Sequence, residues 1–248
     1  AASDVYKRQC LCASFKGSLG KFIVSHTPPL QPDNTPNQSL WQIAGTPIIL
    51  ASASASRRAL LDDARISYSA QAAHIDEISI RSSCEAEGIS PGDIAVILAE
   101  MKAQVVAQNR PDALIIGSDQ ILVCEGVIFG KPDTRQQAHD ILEQLQGNAH
   151  HLITSLVIFK SGMRIWHHIA TANLVMRSLS TDDIEAYLDA IGAEAFSTPG
   201  CYQIEGPGAH LFTDMTGAYY DILGLPLLPL LSFLREHGLA LQTSRQEL

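Results

Sequence analysis

The sequence predicts an α/β fold from three observations. Beyond Pro47, short apolar runs of strand length alternate with segments whose apolar residues recur every three or four positions. Turn signals such as Glu125-Gly126 and Ser161-Gly162 separate these runs, and the domain holds no internal repeat or low-complexity segment. The chain has 248 residues, 46% of them hydrophobic, enough for one sizeable core, so residues 45–240 are expected to form a single domain. Residues 241–248 are expected to be a tail. Residues 1–44 are expected to be a disordered or non-native leader, because "DVYKRQ" looks like translated adapter sequence and "SHTPPLQPDNTPNQS" (25–39) is rich in proline, asparagine and serine.

The elements follow in order. "PIILA" (47–51) reads as a buried strand, and Ser52 or Ser54 can cap a helix through "RRALLDDA". "ISYSAQA" (66–72) alternates like a strand. Pro91-Gly92-Asp93 opens a helix over 91–109, whose buried face is predicted to carry Ile94, Ile97, Leu98, Met101 and Val105. Ala113 to Ile116 reads as an inner strand that ends at Asp119, and "ILVCEGVIFG" as a hairpin turning at Glu125-Gly126. A helix is predicted over 134–145, and the strands "LITSLVIF" and "IWHHIATANLVM" flank a turn at Ser161-Gly162. "STDDIEAYLDAI" (180–191) is a helix with a Ser or Thr cap, and 226–237 a helix that starts on Pro226.

Bulk properties exclude several functions. A formal charge of -9 argues against a broad basic surface for polymeric nucleic acid, so an anionic ligand must be held by a few cations in a pocket. Five scattered cysteines without a CxxC pair suggest neither a disulfide framework nor structural zinc, and a reducing cytoplasm is expected. The longest apolar run, "ILGLPLLPLLSFL", is interrupted by Pro226 and Pro229 and falls short of the roughly 18 residues of a membrane span. The leader orders charge and hydrophobicity poorly for a signal peptide.

Four stretches carry candidate chemistry. In "ASASASRRALL", small residues, a helix N-terminus and Arg57 with Arg58 suit a phosphate cradle, although a solvated first turn fits equally. Asp119, at the end of an inner strand, can bind a divalent cation or take a proton from water; a turn residue capping backbone N–H groups is the commoner alternative. Lys131 in "FGKPD" is a point charge and not part of a Walker loop, since Pro132 stands where Ser or Thr would bind magnesium. "GCYQIEGPGA" (200–209) is a glycine-rich loop carrying Glu205. The pairs His150-His151 and His167-His168 point to opposite faces of their strands and cannot each chelate one ion. There is no GxSxG elbow and no DxDx[TV] motif, which disfavours acyl transfer and aspartyl-phosphate chemistry.

Taken in order, "IILASASASRRALL", "HIDE", "LAEMKA", "IIGSDQIL", "GKPDTRQQAHDILEQLQGNAH", "CYQIEGPGA" and "YYDILGLPL" resemble the motifs of the Maf nucleoside triphosphate pyrophosphatases, over about residues 47 to 238. The resemblance implies a mixed twisted sheet with flanking helices and a cleft between two lobes, related to the inosine triphosphatases. It also implies hydrolysis of a nucleoside triphosphate to monophosphate and pyrophosphate with Mg²⁺ or Mn²⁺, frequently in a homodimer. The family's proton acceptor falls on Asp119, its serines on Ser52 and Ser54, its strictly kept arginine on Arg57, its acidic residue on Glu77 and its lysines on Lys102 and Lys131. Asp119 and Glu77 are then the expected metal ligands, and the three cations meet the charge of the leaving pyrophosphate.

Three departures bear on specificity. Most of the family carries Ser-Pro-Arg-Arg in the first motif, whereas Ser54, Ala55, Ser56 and Arg57 stand here; the first arginine is lost and Arg58 is its expected substitute. Gln120 and Glu205 stand where the dTTP/UTP-hydrolysing branch has Thr and Gln, and both resemble the 7-methyl-GTP pyrophosphatase branch. That branch commonly has Trp at the position of Ser56. A carboxylate at Glu205 can accept paired hydrogen bonds from the N1–H and exocyclic amine of guanine, which uracil and thymine do not offer. Ala218 replaces the Asp or Ser of many relatives. The expected function is a pyrophosphatase for a modified, guanine-like nucleotide such as 7-methyl-GTP. The alternatives are a dTTP/UTP-type enzyme and a non-catalytic nucleotide-binding regulator of cell division.

Overall fold

The computed structural model of the chain describes residues 45–240; the leader and tail expected over 1–44 and 241–248 lie outside them. Strand β1 (Ile48–Leu50) leads into helix α1 (Ala55–Asp63), followed by β2 (Ser69–Ala70), α2 (Glu77–Ala86) and α3 (Pro91–Ala107). Then come β3 (Leu114–Cys124), β4 (Val127–Phe129), α4 (Arg135–Leu145), β5 (Ala149–Lys160), β6 (Met163–Met176), α5 (Thr181–Ile191), β7 (Phe212–Thr216), α6 (Tyr219–Ile222) and α7 (Leu227–Glu236). One mixed sheet of seven strands runs in the order β2-β1-β3-β5-β6-β7, with β4 also on β3. The predicted α/β class with flanking helices is present.

Strand β3 organises the molecule. Its whole length pairs antiparallel with β5, from Leu114↔Lys160 to Cys124↔His150. On its other edge it pairs with β1 as far as Leu50↔Ile116, and with β4 from Leu122↔Phe129 onward. Residues 117–121 therefore carry no strand on that edge among the described residues. The apolar packing divides at the same place. Leu114 and Ile116 belong to a cluster with Leu230 and Phe233 of α7, and Leu122 and Cys124 to one with Leu142 of α4 and Leu188 of α5. On the opposite face Ile115 packs with Ala99, Ala103 and Val106 of α3, and Ile121 and Val123 with Ile94 and Leu98. The quartet Gly117-Ser118-Asp119-Gln120 is the seam between these two lobes.

Four expectations are corrected. The strand does not end at Asp119: the ladder with β5 continues through it, so Asp119 is a mid-strand residue and not a turn cap. The strand expected over 66–72 is confined to Ser69–Ala70. Helix α3 buries Ala95, Ala99, Lys102, Ala103 and Val106 beside Ile94 and Leu98, whereas Met101 and Val105 are exposed. Small residues face the sheet there because β3 presents Gly117, where a β-carbon would stand 2.8 Å from Ala103 Cβ and 2.9 Å from Val157 Cγ2. Helix α2, which sequence periodicity did not bring out, starts on an Asp76 cap. Helices α1, α4, α5 and α7 and both hairpins lie where expected, with a full capping box between Ser180 and Asp183 on α5, whereas β7 and α6 carried no expectation.

Candidate active site

A cleft of about 860 Å³ opens where β3 lacks its neighbour, a size suited to a nucleotide. One wall comes from the β1–α1 loop, α2, α3 and β3, and the other from the segment 194–205 that follows α5. Its lining includes Ser52, Ser54, Ser56, Arg57, Glu77, Lys102, Asp119, Gln120, Lys131 and Glu205, all but one of the candidate site residues.

The exception is Arg58. Its guanidinium turns back onto the carbonyls of Ala53 (2.9 Å) and Ser54 (3.4 Å) and does not line the cleft. On a helix, adjacent residues diverge by about 100°, so Arg57 facing inward sends Arg58 outward. The cation missing at Ser56 is therefore not restored by Arg58; the Ser56 hydroxyl pairs with that of Ser54 at 3.1 Å.

Arg57 is 9% exposed and held on three sides. Its backbone N–H donates to the Ser54 hydroxyl, which caps α1, its Nη1 donates to Ser52 Oγ (3.2 Å), and its Nε to the Gly224 carbonyl (2.7 Å). The Ser118 hydroxyl donates to the same carbonyl at 3.0 Å. Gly224 has a φ of +89°, a conformation that a side chain disfavours, and the guanidinium packs against it.

Asp119 is 5% exposed and lies on the cleft floor. Lys102 reaches it from α3, with Nζ 2.6 Å from Asp119 Oδ1 and 2.9 Å from Glu77 Oε1. One buried ammonium thus bridges two carboxylates, one on the strand and one at the first turn of α2. Burial pushes the Asp119 carboxyl above its ordinary value, and Lys102 and Arg57 oppose the shift by favouring the carboxylate. Lys131 is pushed below the ordinary lysine value by desolvation of its ammonium, with Glu77 acting the other way. Asp119 and Glu77 each keep a second carboxylate oxygen, and hard divalent cations are commonly held by one or two carboxylates with substrate phosphates. The pair fits such an ion. Among the described residues a group of three ligand side chains, His139, Asp140 and Glu143 on α4, lies outside the cleft.

Gln120 projects to the opposite face from Asp119. Its amide donates to Thr154 Oγ1 (2.9 Å) and to the carbonyls of Asp221 (2.9 Å) and Ile222 (3.1 Å), so it ties α6 to the sheet as well as lining the cleft. Glu205 is exposed in the turn before a short 3₁₀ segment and is among the residues that line the cleft. Sequence reading missed Arg81, Glu194 and Gly224, which also line the cleft. The spacing Glu77 to Arg81, one helical turn, is the signal that marks Arg81 once α2 is recognised.

Among the described residues no helix is long and apolar enough to cross a membrane. The family model described as "Maf-like protein" matches residues 47–237. A curated protein of Granulibacter bethesdensis named nucleoside triphosphate pyrophosphatase is 46% identical over 190 residues, 77% of this chain and 96% of the relative. One of Rhizobium meliloti named 7-methyl-GTP pyrophosphatase is 44% identical over 191 residues, again 77% and 96%. A nucleoside triphosphate pyrophosphatase of Rhodospirillum rubrum is 44% identical over 195 residues, 79% of this chain and 96% of its own length.

Proposed function

The chain belongs to the Maf-like protein family, and on that premise we propose that its cleft hydrolyses a nucleoside triphosphate to the monophosphate and pyrophosphate. The observation that carries this reading is the Lys102 ammonium shared between Asp119 and Glu77 on the floor of a nucleotide-sized cleft. Asp119 takes a proton from water, the water oxygen bonds to the α-phosphorus, and the bond from that phosphorus to the bridging oxygen breaks to release pyrophosphate. Arg57, Lys102 and Lys131 face the charge that builds on the phosphates, and the hydroxyls of Ser52 and Ser54 offer hydrogen bonds to them. Asp119 and Glu77 would hold Mg²⁺ or Mn²⁺, which when bound neutralises phosphate oxygens as a Lewis acid.

The base faces Glu205. Its carboxylate favours guanine over uracil or thymine, and the Rhizobium meliloti relative's name points to 7-methyl-GTP as the substrate to test first. The acting species is taken to be a homodimer; exposed Met101 and Val105 on α3 and exposed Ile165 and Ile169 on β6 supply apolar surface for it. Incubation with Mg²⁺ and 7-methyl-GTP, GTP, dTTP or UTP should release pyrophosphate and the monophosphate, with 7-methyl-GTP used best. Orthophosphate as first product would refute the mechanism, and a pyrimidine preference would refute the assignment of the base.

A further inference from the structure

The first motif lacks a cation at Ser56, and Arg58 faces away from the cleft. A different arginine occupies the cleft wall. Arg81 lies on α2 four residues after Glu77, which places it about 6 Å further along the helix on the same face. Its guanidinium lies over Gly130, next to Lys131. A β-carbon on Gly130 would stand 2.9 Å from Arg81 Nη2 and 3.1 Å from Nη1, so the absence of a side chain there is what lets the guanidinium settle on the backbone. Arg81 Nε is 3.5 Å from Glu85 Oε1, which steadies the side chain from behind. Both Nη groups are left without a protein acceptor among the described residues, at the wall of the cleft.

We infer that Arg81 grips the terminal phosphates of the substrate and then the departing pyrophosphate. The inference rests on the proposed hydrolysis for its direction, since Asp119 and Lys102 mark the α-phosphorus and Glu77 joins them to α2. Moving one turn along α2 from Glu77 leads away from the reacting phosphorus, toward Lys131 and Arg81. A guanidinium presents paired N–H donors that match two phosphate oxygens, and its charge persists where burial depresses that of a lysine such as Lys131. Arg81 thereby supplies from α2 the positive charge that α1 does not carry at position 56.

The test measures binding and turnover separately in the full chain. Inorganic pyrophosphate and GMP, each with Mg²⁺, are titrated calorimetrically into the wild type, Arg81→Gln, Arg81→Lys and Gly130→Ala. Arg81→Gln should weaken pyrophosphate about tenfold and leave GMP within twofold, Arg81→Lys should fall between, and Gly130→Ala, whose methyl displaces the guanidinium, should cost about threefold. In turnover, Arg81→Gln should raise KM for the triphosphate more than it lowers kcat. Equal pyrophosphate binding by wild type and Arg81→Gln, or a loss confined to GMP, overturns the assignment. A pyrophosphate difference in a chain that hydrolyses no triphosphate would uphold Arg81 and refute the hydrolase reading instead. Thermal melting that shows each variant folded at the assay temperature separates a loss of binding from a loss of fold.

Discussion

Lys102 and Asp119 meet at 2.6 Å because Ala99, one turn before Lys102, packs directly on Gly117, two residues before Asp119. The bareness of Gly117 sets how closely helix α3 approaches strand β3. Gly117→Ala should therefore act on stability and activity together. Its methyl would press on the Ala99 carbonyl, Ala103 and Val157, and a loss of about 1–3 kcal/mol is expected in urea unfolding. Turnover of the folded fraction should also fall as the lysine is pushed from the carboxylate.

Asp119→Asn should remove the base and keep the shape of the site. A fall in kcat of about 10²–10⁴ is expected, with nucleotide binding changed only a few fold, as read by steady-state kinetics and calorimetry. Retained turnover would mean that another group accepts the proton.

The pH profile should be bell-shaped. Asp119 must be ionised, so activity is lost as pH falls through its carboxyl, which burial raises and a bound divalent cation would draw back down. Lys131 must be protonated, and its lowered value draws the alkaline limb below the ordinary lysine value, with activity lost as pH rises through it. Lys131→Arg should move the alkaline limb upward in plots of kcat/KM.

Glu205→Gln should blur the choice of base. The ratio of kcat/KM for 7-methyl-GTP over UTP is expected to shrink about tenfold, because an amide can present a donor to a pyrimidine carbonyl that a carboxylate repels. An unchanged ratio would remove Glu205 from base recognition.

Stability should fall on acidification for a reason outside the cleft. His150 is fully buried, its Nε2 2.8 Å from the Tyr202 hydroxyl, and burial pushes its imidazolium down to about 4 from the ordinary 6.5. Between those values the unfolded chain binds a proton that the folded chain refuses, so stability present above pH 6.5 is lost progressively toward pH 4. The full effect is on the order of 3 kcal/mol, and His150→Gln should flatten that part of the curve in urea melts at several pH values.

Much of this was legible in the sequence because the signals were local. Capping serines, the hairpin turns and the apolar spacing of α4 and α5 depend on neighbours within one or two turns of chain. The seam in β3 was not legible, because a quartet of glycine and polar residues imitates a turn until the β5 ladder is known. The buried face of α3 was misread for a related reason: Met101 and Val105 outweigh alanine in any apolar tally, yet only alanine fits against Gly117. The Arg57 contact with Gly224 spans 167 residues and follows from topology alone. Helix α2 escaped because its isoleucines sit two apart, and Ile78 is 69% exposed; Arg81 escaped with it.

The two walls of the cleft draw on separate stretches of the chain. The segment 194–205 is tied internally by Gln203 to Glu194 (2.9 Å) and Thr198 to the Tyr202 carbonyl (3.0 Å) and anchored in the core by Cys201, Tyr202 and Ile204, while the groups around Asp119 sit on α1, α2, α3 and β3. Exposed Glu205 can thus be exchanged without disturbing the residues that hold Asp119.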